Sequence, residues 1–306
     1  MKTKIYVPDI ECDSCTKLLH RKFKDIAGVE RYEVNVDSMD INFNEEMITP
    51  EDMVTAIEDL GFRASVRPFE RKTFRERWRD VRSNPHKYAM IFKSFYYFIA
   101  LFALLSILEI VSYVAFFTTI PGFAAKYALW LLYLNISVAS IGATLWYMAS
   151  YKGNVTCMTG MMIGMTIGMQ SGMMIGAVMG GTNGFFTGAF VGMIIAVVAG
   201  TLTGAVCGVM GAVQGMMSGV MAGTMGAMIT VMMFTDRVQT FMPFYMLINV
   251  IILGGLVYLY YEEVIEGKRD VRKNAADFFT FAAAGIVITA LLILIMVYGP
   301  KSPLFV

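Results

Sequence analysis

Polar and apolar positions along the chain sort into two regimes. Over residues 1–68 they change on a short scale. "KIYVPDI" alternates with a period of two, as a half-buried strand does. "CTKLLHRKFKDIAGV" carries Leu18, Leu19, Phe23 and Ile26 at helical spacing and stops at Gly28. "VERYEVNVDSMDINFN" gives two alternating runs around a turn at Asp37-Ser38. "TPEDMVTAIEDLGF" starts a helix with Thr49 as N-cap and Pro50 at the first helical position, and Gly61 follows its end. "RASV" closes as a short strand. The order βαββαβ predicts an α+β, ferredoxin-like domain over residues 1–68.

Beyond residue 93 the pattern changes to long apolar runs. Seven predict an all-α, polytopic membrane domain over 94–306, with spans at 94–118, 127–149, 156–179, 185–208, 212–234, 241–261 and 278–298. Between Lys152 and Asp236 there is no Asp, Glu, Lys, Arg or His, an interval long enough for about three spans. Two turns are expected inside it, at Gly180-Gly181-Thr182-Asn183 and near Gly211, where the glycine phase slips by one residue.

Charge then orients the spans. Residues 69–93 form a basic connector with Arg71, Lys72, Arg75, Arg77, Arg79, Arg82, Lys87 and Lys93. Phe74, Trp78 and Val81 share one helical face there, which suits a short interfacial helix on anionic headgroups. Seven spans put Lys152 and the cluster Lys268, Arg269, Arg272 and Lys273 on the connector's side, with Lys126 and Arg237 opposite. The positive-inside rule makes the connector's side cytoplasmic. The start of the chain has no apolar core of signal-peptide length, so the N-terminal domain is expected in the cytoplasm and the spans in the plasma membrane.

Composition adds one anomaly. Of 26 methionines, 17 lie within residues 156–234, where Leu occurs once, at Leu202. Glycine recurs every fourth residue from Gly160 to Gly192, and again at Gly200, Gly204 and Gly208. Glycines four apart lie ~6 Å apart along a helix and let backbones approach, so glycine-zipper packing is expected. The methionines form ladders: Met161, Met165, Met169 and Met173 on the third span, and Met217, Met221 and Met225 on the fifth. A thioether is neutral, soft and never protonated; it binds Cu(I) or Ag(I) well and hard cations poorly. The glycines would bring the helices together and the thioethers would form a graded path between them.

The four cysteines make no disulfide framework. Cys12 and Cys15 form a C-x-x-C where the first loop meets the first helix, and helix-terminal N–H groups favour thiolates there. At this point residues 3–66 resemble the heavy-metal-associated domain of copper chaperones and metal-pumping ATPases. "CDSC" and "TPEDMVTAIEDLGF" carry the resemblance. It implies that Cys12 and Cys15 bind one soft metal ion and pass it on by ligand exchange. Copper members of that family usually have Met where this chain has Ile10. Some zinc, cadmium and lead members have a carboxylate where it has Glu11. The M-x-x-x-M and G-x-x-x-G motifs are similar, in motif only, to those of the eukaryotic high-affinity copper transporter family. That similarity implies selectivity rungs at Met161, Met165 and Met169.

Cys157 opens the third span and Cys207 closes the fourth, which puts both at the cytoplasmic mouth near Met158 and Met210. They are either a thiolate relay for Cys12 and Cys15 or two inert thiols. Glu109 is an intramembrane carboxylate, expected to hydrogen-bond Asn135 or Asn249 or to serve proton coupling. His20 and His86 are not in ligand spacing. No D-K-T-G-T, C-P-C or P-loop motif is present, and no basic patch interleaved with aromatics. The expectation is a non-enzymatic Cu(I) transporter or channel with no nucleic-acid partner. A cytoplasmic copper chaperone or acceptor would exchange metal with it, and the glycine stripes would be satisfied within one chain or between copies. The rivals are a divalent soft-metal transporter and a non-transporting metal sensor or docking protein.

Overall fold

The computed structural model describes residues 1–10, 13–35, 37–45, 47–69, 76, 79, 88–115, 123–152, 155–265, 272–273 and 277–302. Near the N-terminus, β1 (Lys2–Tyr6), β2 (Val29–Asn35) and β3 (Ser38–Phe43) form an antiparallel sheet in the order β1-β3-β2. Helices α1 (Asp13–Lys24) and α2 (Pro50–Glu58) pair with it. Alternation on β3 sends Met39, Ile41 and Phe43 inward against Leu19, Phe23, Met53 and Ile57, all buried. Thr49 caps α2 and forms a capping box with Asp52. The expected closing strand "RASV" is reduced to a single bridge, Ser65 with Tyr6. The Asp9 carboxylate takes the backbone N–H of Arg63 (2.8 Å), and the Ser65 hydroxyl takes that of Arg67 (3.1 Å), so neither is available to extend a ladder.

Among the described residues seven helices have the length and composition to cross a membrane. They are α3 (Ala89–Ala115), α4 (Phe123–Ser150), α5 (Cys157–Asn183), α6 (Phe185–Gly204), α7 (Val209–Met232), α8 (Val238–Tyr260) and α9 (Phe278–Tyr298). A 3₁₀ turn (Ala205–Cys207) extends α6 and a π turn (Tyr261–Ile265) extends α8. The chain is thus a small antiparallel α+β domain followed by a multi-pass membrane part.

Both expected turns in the uncharged interval move. α5 runs straight through Gly180–Asn183 and breaks at Gly184; the next break is at Gly208, not near Gly211. Gly184 and Gly208 have φ of 103° and 93°, a region closed to most side chains. Each is the one residue between two helical segments, so a single left-handed glycine reverses the chain. Gly180 and Gly211 are consumed instead by packing. Gly180 lies against Ala227, and a side chain on Gly211 would meet Cys207.

The interior of the membrane part has two textures. α5, α6 and α7 touch through glycine. A β-carbon on Gly164 would fall 2.6 Å from Gly204 Cα, and one on Gly172 2.7 Å from Gly223 N. One on Gly200 would fall 2.5 Å from the Gly215 carbonyl and 3.0 Å from Gly168 Cα. The glycine stripes are therefore satisfied within one chain. On the α5 side of this trio, α3, α4, α8 and α9 pack through large side chains, among them Leu101, Leu105, Leu134, Met242 and Leu292, with Trp130 of α4 seated on Gly181.

Sidedness agrees with the charge pattern where it is described. Tyr151–Lys152 (β4) pairs with Arg272–Lys273 (β5), which brings Lys152 and those two basic residues to one end. Lys126 lies at the other end, where Lys301 binds the Tyr127 hydroxyl. Phe74, Trp78 and Val81 of the expected interfacial helix, His86, Lys268 and Arg269 lie outside the described residues.

Candidate functional site

Cys157 is the first residue of α5 and Cys207 the last of the 3₁₀ turn after α6. They are 50 positions apart in sequence, yet their sulfurs lie 3.8 Å apart. The Cys207 thiol also donates to the Cys157 carbonyl at 3.1 Å. Glycine makes the room. A β-carbon on Gly160 would fall 2.9 Å from Cys207 Sγ and one on Gly211 3.1 Å from it, so two missing side chains seat this thiol between α5 and α7. Both cysteines are partly accessible and neither is in a disulfide. Two sulfurs this close can hold one soft cation between them. Among the described residues no three of His, Cys, Asp and Glu cluster there.

The N-terminal domain meets the membrane part at this same end. Arg63 makes a bidentate pair with the buried Asp9 (Nη2 to Oδ1 2.7 Å, Nε to Oδ2 3.3 Å) and turns its guanidinium also to Glu263 in the π turn after α8 (2.7 Å). Burial works against the charge on Arg63, but the bonds from Asp9 and the nearby Glu263 and Glu262 outweigh it and hold the guanidinium more strongly protonated than usual. Tyr260, beside this turn, bonds the Tyr151 carbonyl at 2.5 Å, which ties the turn to the end where α4 stops and α5 begins. Asp9 lies on the loop that leads to the C-x-x-C. Cys15 sits in the first turn of α1 and is buried; Glu11 and Cys12 lie outside the described residues. Nothing local in the sequence marks the Arg63–Glu263 contact, because its partners are 200 residues apart.

The methionine ladders require a correction. Glycine occupies the contacts among α5, α6 and α7, so the ladders do not lie between those helices. Met217 and Met221 are 58% and 57% exposed, Met225 is 42% exposed and Met158 50%. On α5, Met165 is 39% exposed, while Met161, Met169 and Met173 are half-buried. Gln214 of α7 donates to the Met165 sulfur at 3.4 Å, and Gly226 packs on the Met173 backbone. The two ladders therefore border one outward flank along the α5–α7 seam. The physical cause is the spacing itself: on α5 each ladder methionine follows an interfacial glycine by one position and is turned about 100° from it, and on α7 each follows by two, about 200° round the helix. In the membrane part Met174, Met179, Met242, Met246 and Met296 are deeply buried, and they pack the core.

Glu109 has the partner expected of it. Asn135 Nδ2 donates to Glu109 Oε2 at 2.7 Å, while Asn249 bonds the Tyr245 carbonyl within α8.

Residues 4–63 match the model of the heavy-metal-associated domain. That match covers the N-terminal domain alone, which is accordingly a metal-binding module. No curated protein and no solved structure matches the chain.

Proposed function

We propose that the protein moves a soft monovalent cation, Cu(I), across the plasma membrane and exchanges it with its own N-terminal domain on the cytoplasmic side. The observation that carries the reading is the Cys157–Cys207 pair. It is a two-sulfur site at the end of the membrane part where Arg63 holds the metal-binding domain to Glu263. Cys12 and Cys15 would take the ion from a chaperone, or give it to an acceptor, and Cys157 and Cys207 would be the next ligands. Ligand exchange between pairs of sulfurs needs no enzymatic step.

From there the thioethers Met161, Met165, Met169 and Met173, with Met217, Met221 and Met225, offer weak soft ligands spaced for stepwise release. A bare cation cannot follow a flank open to lipid, because desolvation costs tens of kcal/mol. The reading therefore requires another copy of the chain to cover the α5–α7 flank.

Flux of Cu(I) into proteoliposomes tests this. Changing Met161, Met165 and Met169 to Leu keeps bulk and apolarity and removes thioether ligation; loss of flux in a folded variant is the expected result. Equal flux would return the ladders to packing. Changing Cys157 and Cys207 to Ser should slow transfer between domain and membrane part while leaving metal binding by the N-terminal domain unchanged. The outward position of the methionines favours a second reading, a non-transporting metal sensor or docking protein, which no flux in any variant would support. A divalent ion, the reading that Glu11 suggests, would show as a preference of the N-terminal domain for zinc or cadmium over Cu(I).

A further inference from the structure

Glu109 lies well inside α3, facing α4. Its Oε2 accepts from Asn135 Nδ2 at 2.7 Å. Its Oε1 is buried and has no hydrogen-bond partner, and the same is true of Asn135 Oδ1. Asn135 itself is only 1% exposed, so water has little access to the orphaned oxygen. Both orphans are acceptors when the carboxyl is ionised, and an acceptor cannot satisfy an acceptor. A protonated carboxyl and a primary amide, by contrast, are complementary. The amide N–H donates to one carboxyl oxygen, and the carboxyl O–H donates to the amide oxygen. The first of these two bonds is present, and a single proton on Oε1 would supply the donor that both orphaned atoms lack.

Among the described residues no cation is paired with Glu109; the ion pairs formed between them are those of Arg31 and Arg63, both in the N-terminal domain. α3 packs against α4 and α9. On α3, Lys93 is at the far end over Tyr97 and Trp146, and Tyr113 stacks on Phe123. On α4, the titratable groups on this side are Tyr133, Tyr127 and Lys126, with Lys126 and Lys301 lying over the Tyr127 ring at the helix end. α9 carries no charged residue. It does bring Thr289, buried, whose hydroxyl also lacks a partner. Thr289 is one turn beyond Gly285, the residue that faces Leu101 of α3 and Val138 of α4.

We infer that Glu109 and Asn135 form a proton-binding site in the membrane part: Glu109 holds a proton on Oε1, shared with Asn135 Oδ1, and exchanges it with the medium. Loading gives a neutral acid–amide pair joined by two hydrogen bonds. Release sends the proton to water and leaves a carboxylate in an apolar seam, where the amide oxygen now faces negative charge. The α3–α4 contact is thereby biased toward opening. The site follows from hydrogen-bond accounting and does not rest on the metal reading.

Infrared difference spectroscopy of the full chain in lipid vesicles tests it across a pH titration. Glu109→Gln is the variant of choice, because glutamine has the shape of the protonated acid and keeps both bonds to Asn135. The expected result is a protonated-carboxyl C=O band at neutral pH that is missing in Glu109→Gln and vanishes as pH is raised. A protonated-carboxyl C=O region unchanged between wild type and Glu109→Gln at neutral pH would mean an ionised Glu109 and overturn the site. A Glu109 band that survives to the alkaline limit would mean a sealed structural acid and overturn the exchange. A band displaced by sodium at fixed pH would replace the proton with an alkali cation and overturn the assignment. None of these readouts needs metal flux, so a failure here leaves the Cu(I) reading standing, and the reverse holds too.

Discussion

In the trio α5, α6 and α7, Gly164 lies on Gly204 and Gly172 on Gly223, so main chain meets main chain. In the neighbouring α3, α4, α8 and α9, Leu101, Leu134, Leu253 and Leu292 fill the space between the helices. Within a membrane the two solutions gain from the same dispersion forces but fail in opposite ways. The trio has no volume to give and breaks when atoms are added. The shell is built on volume and breaks when atoms are removed.

Gly200→Ala should be the most damaging single change. Its β-carbon would sit 2.5 Å from the Gly215 carbonyl and 3.0 Å from Gly168 Cα, and neither backbone can step aside. We expect the upper end of the overpacking range, about 3 kcal/mol or more, seen as loss of folded protein after detergent extraction. Retention of wild-type yield and melting temperature would mean the trio is looser than described.

Leu134→Ala in the shell should cost about 2–5 kcal/mol by leaving a cavity at a fully buried position. Partial rescue by a small apolar solute would identify the cavity as the cause; a melting temperature unchanged from wild type would contradict the close packing of the shell.

Gly254→Ala and Gly255→Ala sharpen the contrast by reversing its sign. These glycines lie inside α8, where a β-carbon would meet nothing within 4 Å. Each substitution should stabilise by roughly 0.5–1 kcal/mol through helix propensity alone. Destabilisation would reveal an unseen partner on that face.

The smallest effect is expected away from both textures. Thr49→Ala removes the cap of α2, at about 1 kcal/mol, readable as faster amide exchange in residues 50–58. Bonds from Thr49 hold the Asp52 carboxyl below the usual carboxylate range. That contribution is present above the unfolded pKa and is lost as pH falls through the folded one, so wild type and Thr49→Ala should converge in acid. A gap between them that stays constant into acid would show that Asp52 takes no part in the cap.

The parts of this architecture that obey short-range rules were legible in the sequence. Alternation placed the strands, Thr49 and Pro50 placed α2, and hydropathy placed seven spans to within a few residues. That Cys157 and Cys207 share one end of the membrane part followed from span count, since alternate crossings return the chain to one side; the 3.8 Å approach of their sulfurs did not. Other features, besides the Arg63–Glu263 contact, were not legible for a common reason: each depends on a partner far off in the chain. The closing strand lost its N–H groups to Asp9 and Ser65. The turns fell at Gly184 and Gly208 because the neighbouring glycines were already committed to other helices. The ladders of Met161–Met173 and Met217–Met225 turned outward because a four-residue spacing reveals a stripe but not which stripe wins the interface. Glycine won it, since only glycine lets backbones touch.

The turns at Gly184 and Gly208 carry a consequence for biogenesis. α5 and α7 are the least apolar of the seven spans, and both are joined to the far more apolar α6 by one residue. No polar loop separates them to emerge on either side while a single span waits in the insertion machinery. We expect the three helices to enter the bilayer together, with α6 carrying its less apolar neighbours in. A polar insertion at Gly184 would uncouple them, and would be felt first as failed insertion and only then as lost packing.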